Sequence, residues 1–210
     1  MAKEKMNEGV IMKALDFAYE KAINGMTGVD SAQEMAENYM SKGGKKIDIA
    51  NSLIRWQNTK AGTSGFVTGL PGILAMPITV PANITSVMFV QVRMIAAIAH
   101  IGGYDVKDDR VKSLVYLCLA GNSAKDLMKE VGIVVGKKIA TQTIKNISGK
   151  TISTINQKVG FRLVTKFGEK GAINLGKAVP FLGGVIGGTF DVVATNAIGN
   201  LARNTFIEQN

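Results

Sequence analysis

Three ionisable residues stand out because each interrupts an apolar run. Arg93 and His100 lie within VMFVQVRMIAAIAHI, and Asp191 lies within VIGGTFDVVATNAIG. An arginine, a histidine and a carboxylate could together polarise a carbonyl, move a proton and orient the base. A hydrolase acting on lipid or peptide through Arg93, His100 and Asp191 is therefore one expectation. No recognisable nucleophile accompanies them, however, and there is neither a GxSxG elbow nor an SxxK pair. An unpaired charge in apolar surroundings is very costly. The economical expectation is a structural polar pair, with Arg93 on one helix neutralising Asp191 on another, and no catalytic residues. Ser86, Arg93 and His100 recur every seven residues, so His100 would extend a polar seam along the same helix face.

Other chemical motifs are incomplete. His100 is the only histidine and Cys118 the only cysteine. A histidine-rich metal site and an internal disulfide are thereby excluded, and no metal or other cofactor is expected. Cys118, in SLVYLCLAG, reads as a small buried hydrophobe in a reducing compartment. GAINLGKA, residues 171–178, imitates a phosphate loop but has Ala178 where the magnesium-holding hydroxyl belongs. Gly149-Lys150-Thr151 lacks the upstream glycine, because position 144 is Ile. The glycines between Gly62 and Gly72 do not match GxGxxG and read as chain turning. Asp105, Asp108 and Asp109 stand at a helix start, where capping explains them.

The elements that must position these residues read as helices. The chain of 210 residues is 46% hydrophobic but only 6% aromatic, so its core is aliphatic. Apolar spacing predicts helices over residues 5–24, 31–42 and 45–60, each with a charged face. Residues 61–92 carry no charge, and glycines and prolines punctuate GTSGFVTGLPGILAMPITVP. That stretch predicts a bent segment, with a new helix from Pro81 or Ala82 to Gly102-Gly103. Helices are also expected over 108–120, from Ser123, and over the closing apolar segment to Phe206. Residues 139–164 are rich in Ile, Thr and Val, yet Ile152, Ile155, Val159 and Leu163 keep helical spacing. The expected fold is all-α: one helical bundle over residues 1–210, with a central apolar helical hairpin and a Gly/Pro-rich bent segment. Residues 1–60 would form its charged amphipathic helices and 61–210 its apolar core.

The net charge of +9 is unevenly placed. Residues 131–168 hold Lys137, Lys138, Lys145, Lys150, Lys158, Arg162 and Lys166 without one acid. Such a surface attracts anionic lipid, nucleic acid or an acidic protein. It contains Phe161 and Phe167 but no nucleic-acid reader motif. Binding of an anionic membrane lipid, or of a membrane protein, is the favoured expectation, and nucleic-acid binding through residues 131–168 is an alternative. The two long apolar segments could each span a bilayer by length, but a central Arg or Asp opposes insertion by about 2.5–3.5 kcal/mol. A buried hairpin is favoured, and reversible insertion is the alternative. The charged N-terminus, MAKEKMNEGVIMKALDF, lacks the apolar stretch of a secretory signal. The expected location is cytoplasmic, peripheral to the inner face of the membrane.

Linked segments carry a family resemblance. GFVTGLPGILAMP is followed by QVRMIAAIAHIGGYD and LVYLCLAG, and VPFLGGVIGGTFDVVATNAIGNLARNTF closes the chain. This pattern resembles the EcsC protein family over residues of about 60–120 and 178–206. The family pattern often has an acid shortly after the Pro-rich turn, where this chain has Asn83. The resemblance implies a bacterial or phage protein. It also implies a setting near transport or secretion, because the founding member is encoded beside an ABC transporter. It supplies no mechanism.

Overall fold

The computed structural model describes residues 7–61, 80, 82–134, 138–167 and 185–208. The helices begin where side chains can satisfy free backbone amides. Asn7 accepts from the Val10 amide at 2.9 Å to open α1, Glu8–Asn24. Ser31 and Glu34 form a reciprocal capping box that opens α2, Ala32–Met40. This box lowers the Glu34 pKa, because the carboxylate accepts from the Ser31 backbone. α3 follows at Lys46–Ala61 and α4 at Ala82–Gly102. Asp108 caps α5, Asp109–Leu119, as its position in the sequence predicts. A 3₁₀ turn, Gly121–Ser123, leads into α6, Ala124–Glu130.

The Ile/Thr/Val-rich stretch is helical but broken. α7, Thr141–Lys145, is separated from α8, Gly149–Phe167, by a turn in which the Ser148 hydroxyl accepts from the Thr151 amide at 3.1 Å. Thus Gly149-Lys150-Thr151 is a helix start. α9 runs from Val185 to Phe206. Among the described residues the fold is all-α, with only an isolated bridge between Met26 and Val29. The Gly/Pro-rich segment from Gly62, the GAINLGKA stretch and Lys137 lie outside the described residues.

α4 is the hub, packing against α1, α2, α3, α5 and α9. Its residues from Met88 to Ala99 are all buried. The window Ile84–Gly102 is long and apolar enough to cross a membrane, yet 83% of it is buried inside the fold. Protein side chains cover most of this helix. α8 forms an outer layer against α1 and α5. The apolar pair, α4 and α9, does pack together, but in parallel. Gln91 meets Thr195, and the same interval further along both helices Gly102 meets Phe206. The two apolar helices, far apart in the chain, thus lie side by side and run in the same direction.

Candidate functional site

The parallel register sets where the backbone positions of the opening triad lie along the two helices. It sets Asp191 level with Val87, so the two backbone positions Arg93 and Asp191 are roughly 9 Å apart along the axis at 1.5 Å per residue. Arg93 is 7% exposed and points elsewhere. Its Nη1 donates to the Asp30 carbonyl at 3.0 Å, and its Nη2 to the Met35 sulfur at 3.4 Å. The guanidinium also lies 5.7 Å from the centroid of the Phe89 ring. Burial lowers the Arg93 pKa, opposed by Asp30 and the Tyr39 phenol. The guanidinium expected to reach α9 is therefore taken by α2 and the residue leading into it. The Asp191 side chain itself lies outside the described residues.

His100 follows Arg93 onto the same neighbour, with Nε2 3.9 Å from the Glu37 carboxylate of α2. Two members of the seven-residue stripe, Arg93 and His100, thus meet α2. Gln57 of α3 donates to the same Met35 sulfur at 3.3 Å. One thioether thus accepts from both an arginine and an amide, in a cluster that joins α2, α3 and α4. The contact between α4 and α9 has its own polar pair, Gln91 Nε2 donating to Thr195 Oγ1 at 3.4 Å.

A second cluster escapes sequence reasoning because its members are remote in the chain. Asp16 of α1 accepts from the Tyr116 hydroxyl at 2.7 Å, and the Lys112 ammonium lies 2.7 Å from the same carboxylate. The ammonium lies 5.5 Å and 5.6 Å from the Tyr19 and Tyr116 ring centroids. Tyr19 donates to the Val106 carbonyl at 2.6 Å. Burial raises the pKa of both phenols well above the ordinary tyrosine range, with nearby carboxylates adding to it. Phenols so hard to ionise are poor acids or nucleophiles near neutrality. This network locks α5 onto α1. Cys118 is fully buried, and burial pushes its thiol up to about 12, so it is inert as a nucleophile.

The basic residues are dispersed over several elements. Lys138 precedes α7 and lies 5.9 Å from the Tyr104 ring, while Lys145 ends α7. Lys150, Lys158, Arg162 and Lys166 all belong to α8. Lys158 is paired with Glu130. Arg162 is exposed and has no hydrogen-bond or ion-pair partner among the described residues. Lys166 lies over the Phe167 ring. Beside these cations Phe161 stands 56% exposed, whereas Ile155, Val159 and Leu163 face inward. Phe167 is partly buried against the core, so α8 displays no run of stacking platforms for nucleic acid.

Between α8 and α9 lies an open groove of about 330 Å³. Arg162 and Lys166 line it from α8, Ala194, Ala197 and Ile198 from α9, and Gly121 and Ser123 from the 3₁₀ turn. No acid lines it. Among the described residues no cluster of three or more metal-ligating side chains occurs.

The sequence model of the EcsC protein family matches residues 4–207, which takes in every helix described above. The chain belongs to the EcsC protein family. No curated protein and no solved structure shows measurable similarity to it. The EcsC match reaches well beyond the glycine-rich and closing segments that first suggested it, and includes α1, α2 and the whole of α8.

Proposed function

We propose that this EcsC-family protein is a non-enzymatic helical protein that sits on the inner face of the membrane and binds anionic lipid through the outer face of α8. One observation carries the reading: Phe161 is half exposed beside Arg162, on a helix whose opposite face is buried in the bundle. An aromatic ring beside cations suits the boundary between acyl chains and charged headgroups. Burying an exposed Phe is worth about 1.5–3 kcal/mol, and each Lys or Arg near an anionic surface adds about 1 kcal/mol. The burial of α4 favours docking on the surface over spanning it. At that surface the protein could also meet a membrane protein, as an accessory to transport or secretion would.

Co-sedimentation with vesicles tests this. The protein should pellet with vesicles containing phosphatidylglycerol, pellet less with phosphatidylcholine alone, and be released by salt. Phe161→Ser should weaken binding without altering the fold, because the ring is already half in water. Equal recovery in the supernatant with and without vesicles would reject the reading.

A further inference from the structure

We infer that the groove between α8 and α9 is a site for a single anionic phospholipid, its phosphate held by Arg162 and Lys166 and its acyl chain laid along α9. The inference rests on the membrane reading above and narrows seven basic residues to two.

Charge comes first. Arg162 and Lys166 are one helical turn apart, and like charges at that spacing repel. Lys158, one turn earlier, is matched by Glu130. Among the described residues Arg162 has no such match and no carboxylate lines the groove. A guanidinium without an internal partner, beside an ammonium, is a ready phosphate clamp: the planar fork binds two oxygens and the lysine adds a point charge.

Shape and polarity then select lipid over a free anion. On α9 the described lining is Ala194, Ala197 and Ile198, whose side chains offer an anion nothing. The Thr165 hydroxyl of α8 already donates to the Phe161 carbonyl, which leaves Ser123 as the one further hydroxyl among the described lining residues. The apolar strip also leaves the groove. Val193, one turn before Ala197 on the same face of α9, is 68% exposed. A volume of about 330 Å³ falls at the lower end of the roughly 300–1,000 Å³ typical of ligand sites. It suits a headgroup and the start of a chain, with the remainder following Val193 towards the bilayer.

The test uses the full chain and two kinds of vesicle, phosphatidylcholine alone and phosphatidylcholine with phosphatidylglycerol. Ala197 is exposed, so Ala197→Trp fills the groove at unchanged charge and without crowding the core. Arg162→Gln with Lys166→Gln removes the clamp. Lys145→Gln with Lys150→Gln removes the same charge elsewhere. The groove-filling variant and the clamp variant should each lose roughly tenfold or more in binding to anionic vesicles, and the control pair much less. Inorganic phosphate at millimolar concentration should not compete. Native mass spectrometry should show one phospholipid retained by the wild type and none by Ala197→Trp.

Several outcomes would overturn the site. One is wild-type binding by Ala197→Trp. A second is equal loss in the two charge variants, which would leave a diffuse basic surface and the membrane reading intact. A third is full competition by inorganic phosphate. Failure of the wild type to bind either vesicle would instead remove the membrane reading itself.

Discussion

Arg93 shows how a charged residue in an apolar helix finds its counterpart. A guanidinium has five donors, and a carboxylate is only one way of satisfying them. Here the backbone carbonyl of Asp30, the sulfur of Met35 and the face of Phe89 share the task. Arg93→Ala should lower stability by about 2 kcal/mol, the usual worth of a hydrogen bond to a charged group plus lost packing. Arg93→Met, which keeps much of the side-chain volume, should cost less. Denaturant unfolding reads both. Amide exchange then reports which neighbour was held: α2 should lose protection in Arg93→Ala while α9 keeps it. Loss confined to α9 would restore a partner on that helix.

Among the elements, the contact of α4 with α9 is set by backbone proximity as much as by side chains. A Cβ on Gly102 would overlap the Phe206 carbonyl oxygen and lie 3.1 Å from the Phe206 carbonyl carbon. Backbone cannot yield as a side chain does, so Gly102→Ala should destabilise by about 1–3 kcal/mol, the cost of overpacking. Gly160 in α8 makes the contrast. Its added Cβ would meet Met12 Cγ at 3.1 Å, and a flexible thioether can move aside. Replacing glycine within a helix also gains about 0.5–1 kcal/mol. Gly160→Ala should therefore be close to neutral in the same unfolding measurement. The close approach of α9 to α4 depends on a glycine. The particular glycine that permits it, Gly102, sits on the partner helix.

Across the whole molecule, burial raises the pKa of all four tyrosines, Tyr19, Tyr39, Tyr104 and Tyr116, above the ordinary value of 10.0. For an acid whose pKa rises on folding, the unfolded state ionises first. Stability from these groups is therefore fully present below the unfolded tyrosine pKa and is lost as pH rises above it. The urea midpoint should stay flat from these groups up to about pH 9 and fall beyond about pH 10. Absorbance of the phenolates should rise together with unfolding, not before it. An alkaline titration in which most tyrosines ionise while the helices remain intact would show that the phenols are open to water.

The sequence by itself determined what local physics controls. Capping residues and apolar periodicity fixed most helices to within a few residues, and the linked glycine-rich and closing segments pointed to the EcsC family. The basic character of residues 131–168 was equally plain, because charge can be read without coordinates. Only the tertiary structure decided which faces meet. A seven-residue stripe states that Ser86, Arg93 and His100 share a side of α4, but periodicity carries no information about the neighbour on that side. Packing gave Arg93 and His100 to α2, set α4 and α9 parallel, and left Arg162 across a groove from the alanines of α9. Each of these depends on contacts between segments distant along the chain, where helix register and neighbouring elements, not local spacing, select the partner.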